Sequence, residues 1–206
     1  LISANLYLDE INFLKYLNKT DCIQCGFPSC EEFINAIIKR IKKPQDCPFI
    51  SINKAYALEA IQKIKDLWPE VPLLMHPRPA MTGLVELNNP TPESLVLVSG
   101  NNEYTEQVLM MVLSTTVCPF FVIFVDTDGN TVDMAMIYQT LTAERVKKTL
   151  QDTGLEAKVK RRELIIPGLA FSIKDAIQKL TGWNVRVGPK CVAELPLFLA
   201  DIWIPP

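Results

Sequence analysis

Four cysteines, Cys22, Cys25, Cys30 and Cys47, stand in a C-x2-C-x4-C-x16-C pattern, and Pro48 follows the last directly. Thiolates gathered at one point hold a metal centre and pin the intervening chain around it. Gly26 lets the backbone turn around a bulky centre, and Pro28 suits the first turn of a following helix. Amides of that turn would face the sulfurs and stabilise their negative charge. Cys47 can close the set. A helix over 30–40 rises roughly 15 Å, and the extended chain beyond it can span roughly 23 Å back if Pro44 turns it. The spacing predicts a [4Fe–4S] cluster on Cys22, Cys25, Cys30 and Cys47. Structural zinc is the alternative, but zinc ribbons favour two C-x2-C knuckles, whereas the Cys-Pro ending is shared with ferredoxin-type runs.

The chain has 206 residues, 49% hydrophobic and 21% charged, so it can bury a core as one large domain or two small ones. A net charge of −2 argues against a nucleic-acid or anionic-membrane surface. The basic run Lys158-Val-Lys160-Arg161-Arg162 reads as a solvated turn before a strand. Asp9 and Glu10 interrupt the opening apolar residues, which argues against a signal peptide. The apolar run Val108 to Val125 contains Ser114, Thr115, Thr116 and Pro119, so it reads as a helix end and a buried strand, not a membrane span. Cys118 and Cys191 lie apart from the cluster motif, which suits a reducing cytoplasm with one metal centre and two free thiols.

Three parts follow from the periodicity. Residues 1–60 read as a helical cluster-binding domain, with apolar residues at helical spacing over Ile11 to Leu17 and at Phe33, Ile34, Ile37, Ile38 and Ile41. Residues 61–92 read as the end of a helix from about Ile52 to Leu67 and a semi-rigid linker. Pro69, Pro72, Pro77, Pro79, Pro90 and Pro92 disfavour regular structure there and permit travel between the parts. Residues 93–206 alternate strands at Leu95–Val98, Phe120–Val125, Leu164–Ile166 and Val185–Val187 with helices from about Thr105, at 132–138, 142–152 and Leu169–Leu180, and after Cys191. Continuous apolar strands alternating with helices predict an α/β domain with a parallel sheet covered on both faces, whose ligand site lies at the carboxyl ends of the strands.

The loops at those ends suit a large planar ligand carrying amides. Gly100, Gly129, Gly168 and Gly188 each follow a strand, where a missing Cβ permits close backbone approach. Asn101, Asn102, Thr105, Thr127, Thr131 and Ser172 offer neutral hydrogen-bond partners. Neither G-x-G-x-x-G nor a Walker A pattern is present, which excludes the common dinucleotide and P-loop readings. Asp126, Asp128 and Glu144 read as loop solvation and helix capping, and the single histidine, His76, reads as a linker residue.

Thr20-Asp-Cys-Ile-Gln-Cys-Gly-Phe-Pro-Ser-Cys30 through Asp46-Cys47-Pro48 resembles the amino-terminal cluster domain of the corrinoid iron–sulfur protein large (gamma) subunits of the acetyl-CoA synthase pathway. Val98-Ser-Gly-Asn-Asn102, Val125-Asp-Thr-Asp-Gly-Asn-Thr-Val132, Leu141-Thr-Ala-Glu144, Ile165-Ile-Pro-Gly-Leu-Ala170 and Thr181-Gly-Trp-Asn-Val-Arg-Val-Gly-Pro189 resemble that family's carboxy-terminal domain, in the same order. The resemblance implies a Rossmann-like domain holding a base-off cobamide without a protein imidazole on cobalt. It adds Asn130, Val132, Pro167, Leu169, Ala170, Pro189, Lys190, Cys191, Ala193 and Glu194 to the cofactor-binding residues. Asn130-Thr131 stands where Leu-Ser is typical of the family, and Lys190-Cys191 where Arg-Asp is. The family carries a TIM barrel between the two domains, where this chain has only the Pro-rich linker.

The resemblance implies a methyl carrier cycling between Co(I) and methyl-Co(III), with the [4Fe–4S] cluster returning Co(II) to Co(I). Its implied partners are methyltransferases, a methyl-acceptor enzyme and a low-potential electron donor or reductive activator. No acid–base or nucleophile constellation stands out, so a carrier is expected and not a complete enzyme. Two alternatives remain open: an electron-transfer protein whose α/β domain only docks a partner, and a corrinoid protein not used for methyl transfer.

Overall fold

The computed structural model describes residues 7–18, 21–70 and 76–206. Residues 71–75 of the expected linker lie outside them. A short 3-10 turn, Phe13–Tyr16, precedes helix α1 (Cys30–Ile38), a turn at Pro44–Asp46 and helix α2 (Ile52–Asp66). Strand β1 (Gly83–Leu87) is followed by β2 (Leu95–Gly100), α3 (Glu103–Leu113), β3 (Phe120–Val125), α4 (Val132–Ile137), α5 (Ala143–Asp152) and α6 (Leu155–Lys158). Then come β4 (Glu163–Ile166), a 3-10 stretch Gly168–Ile173, α7 (Lys174–Thr181), β5 (Asn184–Val187), a turn Val192–Glu194 and α8 (Leu195–Phe198). The helical spacing over Ile11 to Leu17 gives only the 3-10 turn, and the helix expected over Leu169–Leu180 begins as 3-10 before becoming α7.

The strands form one sheet in the order β1-β3-β2-β4-β5. β3, β2, β4 and β5 are parallel, and β1 runs antiparallel along β3 with Gly83 opposite Phe124 and Leu87 opposite Phe120. The segment read as an irregular linker therefore supplies an edge strand. No proline falls between Pro79 and Pro90, so nothing there blocks pairing, and an edge position suits a strand flanked by prolines.

Alternating residues of the parallel strands face opposite sides, as the strand period of two requires. Leu95, Leu97, Phe120, Val122, Phe124 and Ile165 meet α3, the N-terminal helices and the C-terminal segment. Val96, Val98, Phe121, Ile123, Val125, Leu164, Ile166 and Val185 meet α4, α5, α6 and α7. The first of these cores runs without a break from Leu8, Phe13, Phe33 and Ile61 through the sheet to Trp203. Tyr56 donates to the Thr115 carbonyl at 2.5 Å, and Asn53 Nδ2 to the Asp201 carbonyl at 3.4 Å. The helical part is thus packed onto the α/β part. Among the described residues no helix is long and apolar enough to cross a membrane; α3 ends at Leu113 and β3 begins at Phe120, dividing the long apolar run.

Lys158 pairs with Glu86 across the sheet, and Arg161 and Arg186 pair with Glu163. Two of the four cations of the basic run, Lys158 and Arg161, are thereby paired where it turns into β4.

Candidate functional site

The four motif cysteines line one cavity of about 20 Å³, together with Leu17, Asn18, Asp21, Ile23, Phe27, Ser29, Phe33, Phe49 and Ile50. All four thiols are free and partly buried. Asp21, Ile23 and Gly26 take positive φ values of 43°, 55° and 81°, which curls the loop back on itself. The Gly26 amide closes that curl onto the Ile23 carbonyl at 2.9 Å. Ser29 caps α1 by accepting from the Glu32 amide at 3.2 Å, so the helix starts at Cys30 and Pro28 lies ahead of the cap, not in the first turn. The Cys30 amide donates to the Asp21 carboxylate at 2.7 Å, so that amide is turned to Asp21 instead of to a sulfur. Pro44 starts the turn that brings Cys47 back, as the closure of the motif needs. Among the described residues no three His, Cys, Asp or Glu side chains converge as ligands of a single ion.

A second cavity, of about 380 Å³, opens at the carboxyl ends of β2 and β4, within the range of small-molecule sites. These neighbouring parallel strands send the chain to opposite faces: α3 packs on one core and α7 on the other. That is the topological switch point where open α/β sheets bind ligands. Leu97, Val98, Ser99, Ile165 and Ile166 form the floor. Of the residues expected to hold a cofactor, Thr105, Thr131, Val132, Pro167, Leu169, Gly188, Pro189, Lys190 and Cys191 line the cleft. Burial pushes the Cys191 thiol up to about 11, so it stays protonated at neutral pH.

The other expected residues build the loops beneath it. Asn101 is buried, and its Oδ1 accepts from the Thr127 amide at 2.8 Å, the Thr127 hydroxyl at 3.0 Å and the Gly129 amide at 3.2 Å. Asn102 donates to the Gly129 carbonyl at 2.8 Å and caps α3 through the Tyr104 and Thr105 amides. Asn130 Nδ2 donates to the Thr127 carbonyl at 2.9 Å. The glycines serve contact between loops. A Cβ at Gly168 would stand 2.6 Å from the Lys190 amide nitrogen, one at Gly129 2.3 Å from the Pro79 nitrogen, and one at Gly100 3.0 Å from the Thr127 side chain. Gly188 lies against Ile165 and Ile166. Ala170 and Ala193 are buried in the cores, and Ser172 is exposed outside the cleft. Glu194 faces Tyr16 and Lys15.

The expected linker takes part in this construction. Arg78 and Ala80 donate backbone bonds to the Gly129 and Asn101 carbonyls at 2.8 and 2.7 Å. His76 is exposed and does not line the cleft. Asp128 pairs with Arg145 at 3.1 Å, and Asp126 accepts from the Asp128 amide at 3.0 Å, so these carboxylates are occupied within their loop. Sequence reasoning missed Tyr7, Leu8 and Trp68, which wall the cleft from the N-terminal part. It also passed over Ser99, Tyr104 and Asp133, which also line it; Ser99 and Tyr104 flank the Gly100–Asn102 loop and could have been named from their position at a strand end.

A family model described as the CO dehydrogenase/acetyl-CoA synthase delta subunit matches residues 34–199, most of the chain. The chain belongs to that family. An Fe-S cluster family model matches residues 17–49, which span all four cysteines of the first cavity. An acetyl-CoA decarbonylase/synthase complex subunit gamma of Methanocaldococcus jannaschii is 25% identical over 94% of the chain and 40% of its own length. The gamma subunit of Methanopyrus kandleri is 33% identical over 60% of the chain and 27% of its own length. The corrinoid/iron-sulfur protein large subunit of Moorella thermoacetica is 33% identical over 59% of the chain and 26% of its length. The chain thus spans between about a quarter and two fifths of these relatives. Between α2 and β1 it has no room for the TIM barrel that the family resemblance places there.

Proposed function

We propose that this chain is a corrinoid iron–sulfur protein, a methyl carrier with its own electron supply. What carries the reading is the pairing, on one chain, of four cysteines around one cavity with an apolar cleft at the switch point of a parallel sheet. Cys22, Cys25, Cys30 and Cys47 would hold a [4Fe–4S] cluster. The cleft between β2 and β4 would hold a cobamide in its base-off form. Bound together, the two groups supply a Co(I) nucleophile for methyl groups and single electrons that restore it from Co(II).

The chain's own residues support that fit. The strand ends present apolar walls to a ring edge, and Ser99, Thr105 and Thr131 add hydroxyls for amide side chains. His76, the single histidine of the sequence, lies outside the cleft lining. A corrin with its side chains and tail exceeds about 380 Å³, so the cleft would seat only part of it. Relatives named as subunits of an acetyl-CoA decarbonylase/synthase complex support work with partner enzymes, which in this reading are methyltransferases, a methyl acceptor and a low-potential electron donor. Domain limits of 1–60 and 93–206, with 61–92 between them contributing the end of α2 and the edge strand β1, and a cytoplasmic location complete the proposal.

A second reading is favoured by one observation. Asn101, Asn102, Thr127 and Asn130 bond to each other's loops, not into the cleft, which suits an α/β part that only docks a partner. Anaerobic purification and incubation with hydroxocobalamin separates the two. Corrinoid bands that survive gel filtration beside a cluster shoulder support the methyl-carrier reading. A cluster shoulder alone after incubation selects the electron-transfer reading.

A further inference from the structure

Glu194 is a carboxylate only 5% exposed, and the other buried polar residues among those described are neutral. It sits in the turn Val192–Glu194, directly beyond Cys191 and Val192 of the cleft wall and before Leu195 of the same wall. Its Oε1 accepts from the Tyr16 hydroxyl at 2.6 Å and is paired with Lys15. Tyr16 and Lys15 belong to the Phe13–Tyr16 turn, and Leu17 and Asn18, which follow, line the cysteine cavity. Burial pushes the Tyr16 hydroxyl well above the ordinary tyrosine range, with the bond to Glu194 adding to it, so the phenol remains a donor. The contact joins positions 178 residues apart.

A buried ionised carboxylate is costly unless it is paired and hydrogen-bonded, and here both partners come from the other end of the chain. We propose that Glu194 is a positioning residue: with Tyr16 and Lys15 it clasps the wall of the cysteine cavity to the wall of the cleft and so fixes the distance between the two sites. The same docking lays Tyr7, Leu8 and Trp68 along the cleft, so releasing the clasp frees the cleft on that side. The Cys22–Cys47 segment, whose Cys25 and Cys47 pack against the shared core, is thereby held against the α/β part, and opening the clasp admits a bulky ligand. The functional half of this inference rests on the proposed corrinoid reading; the clasp itself does not.

Hydrogen exchange on the full chain without cofactors tests the clasp directly. Tyr16→Phe removes the hydrogen bond and keeps the ring, and Glu194→Gln removes the charge and keeps the shape. In both variants, exchange over 13–17 and over 191–195 should accelerate together by about tenfold, the loss expected of a bond to a buried charged group. Unchanged exchange, or acceleration on one side alone, overturns the clasp. Hydroxocobalamin uptake, followed by stopped-flow absorbance, should then be several-fold faster in both variants than in the unmodified chain. Equal uptake rates overturn the gating role while the exchange result still decides the clasp. If no form of the chain takes up corrinoid, the carrier reading fails, and exchange alone continues to judge Glu194.

Discussion

The two candidate sites are built in opposite ways. The cysteine cavity rests on a short loop with left-handed φ at Asp21 and Ile23, the second a β-branched residue for which that conformation is strongly disfavoured. Few bonds hold it: Cys30 to Asp21, Gly26 to Ile23, and the turn at Pro44. The cleft instead stands on four parallel strands and on a buried amide network centred on Asn101. A site whose stability comes from what its thiolates bind differs from one that its scaffold holds ready before any ligand arrives.

The largest expected effect sharpens that difference. Cys25→Ser removes one thiolate, and the cluster absorbance of the anaerobically reconstituted protein should be lost almost entirely, with the 21–29 loop becoming the first point of limited proteolysis. The thermal melting of the sheet should barely move. A variant that keeps full iron content would break the proposed ligand set. Asn101→Ala attacks the other end. It leaves the buried Thr127 and Gly129 amides without their acceptor, which should cost about 3 kcal/mol of unfolding free energy. Iron content per folded chain should stay unchanged. Urea unfolding that shifts by less than about 0.5 kcal/mol would remove the network from its scaffolding role.

A smaller change probes the lips of the cleft. Gly168→Ala would set a Cβ against the Pro189 carbonyl carbon and the Lys190 nitrogen at 2.6 Å, backbone that cannot swing aside like a side chain. The loops after β4 and β5 must part, at a cost of about 1–3 kcal/mol. Melting should reveal the loss, and corrinoid uptake should weaken with it, while the cysteine cavity is untouched. Melting unchanged within error would mean the two lips do not depend on their close approach.

The same contrast explains what could be read in the chain. The cysteine motif is local in sequence, so its spacing already implied one converging site; the details that escaped were the Cys30 amide bonded to Asp21 and the helix starting after Pro28. Most of the parallel strands were legible because β2, β3 and β4 each carry an unbroken apolar run, whereas β5 alternates as Asn-Val-Arg-Val. Strand β1 was not, since prolines on both sides masked a short run whose partner β3 lies far along the chain. The cleft was half legible. Its floor and lips follow from strand ends, but whether Asn101 or Gly168 meets a ligand or a neighbouring loop depends on tertiary approach, which spacing does not encode. Tyr7, Leu8 and Trp68 carry no signal at all, because they reach the cleft only through packing of the helical part.

The smallest expected effect lies at the end of the sheet remote from the cleft. Glu163, at the start of β4, is partly buried, and burial alone raises its pKa; the hydrogen bonds from Arg186 at 3.1 Å and Arg161 at 3.0 Å outweigh that and hold it below the ordinary 4.5. A carboxylate with a depressed folded pKa stabilises the protein above its unfolded pKa and loses that contribution as pH falls through the folded value. Glu163→Gln should therefore be less stable than the unmodified chain at pH 7, and the gap should close between about pH 5 and pH 3. Urea midpoints at pH 7 and at the acid end measure it. Because Glu163 touches neither the cysteine cavity nor the cleft, iron content and corrinoid uptake at pH 7 should not respond to the substitution. A gap that persists or widens in acid would mean the arginines do not hold the carboxylate ionised. An altered corrinoid uptake would mean that the two ends of the sheet are coupled, and that the cleft is less self-contained than its buried amide network indicates.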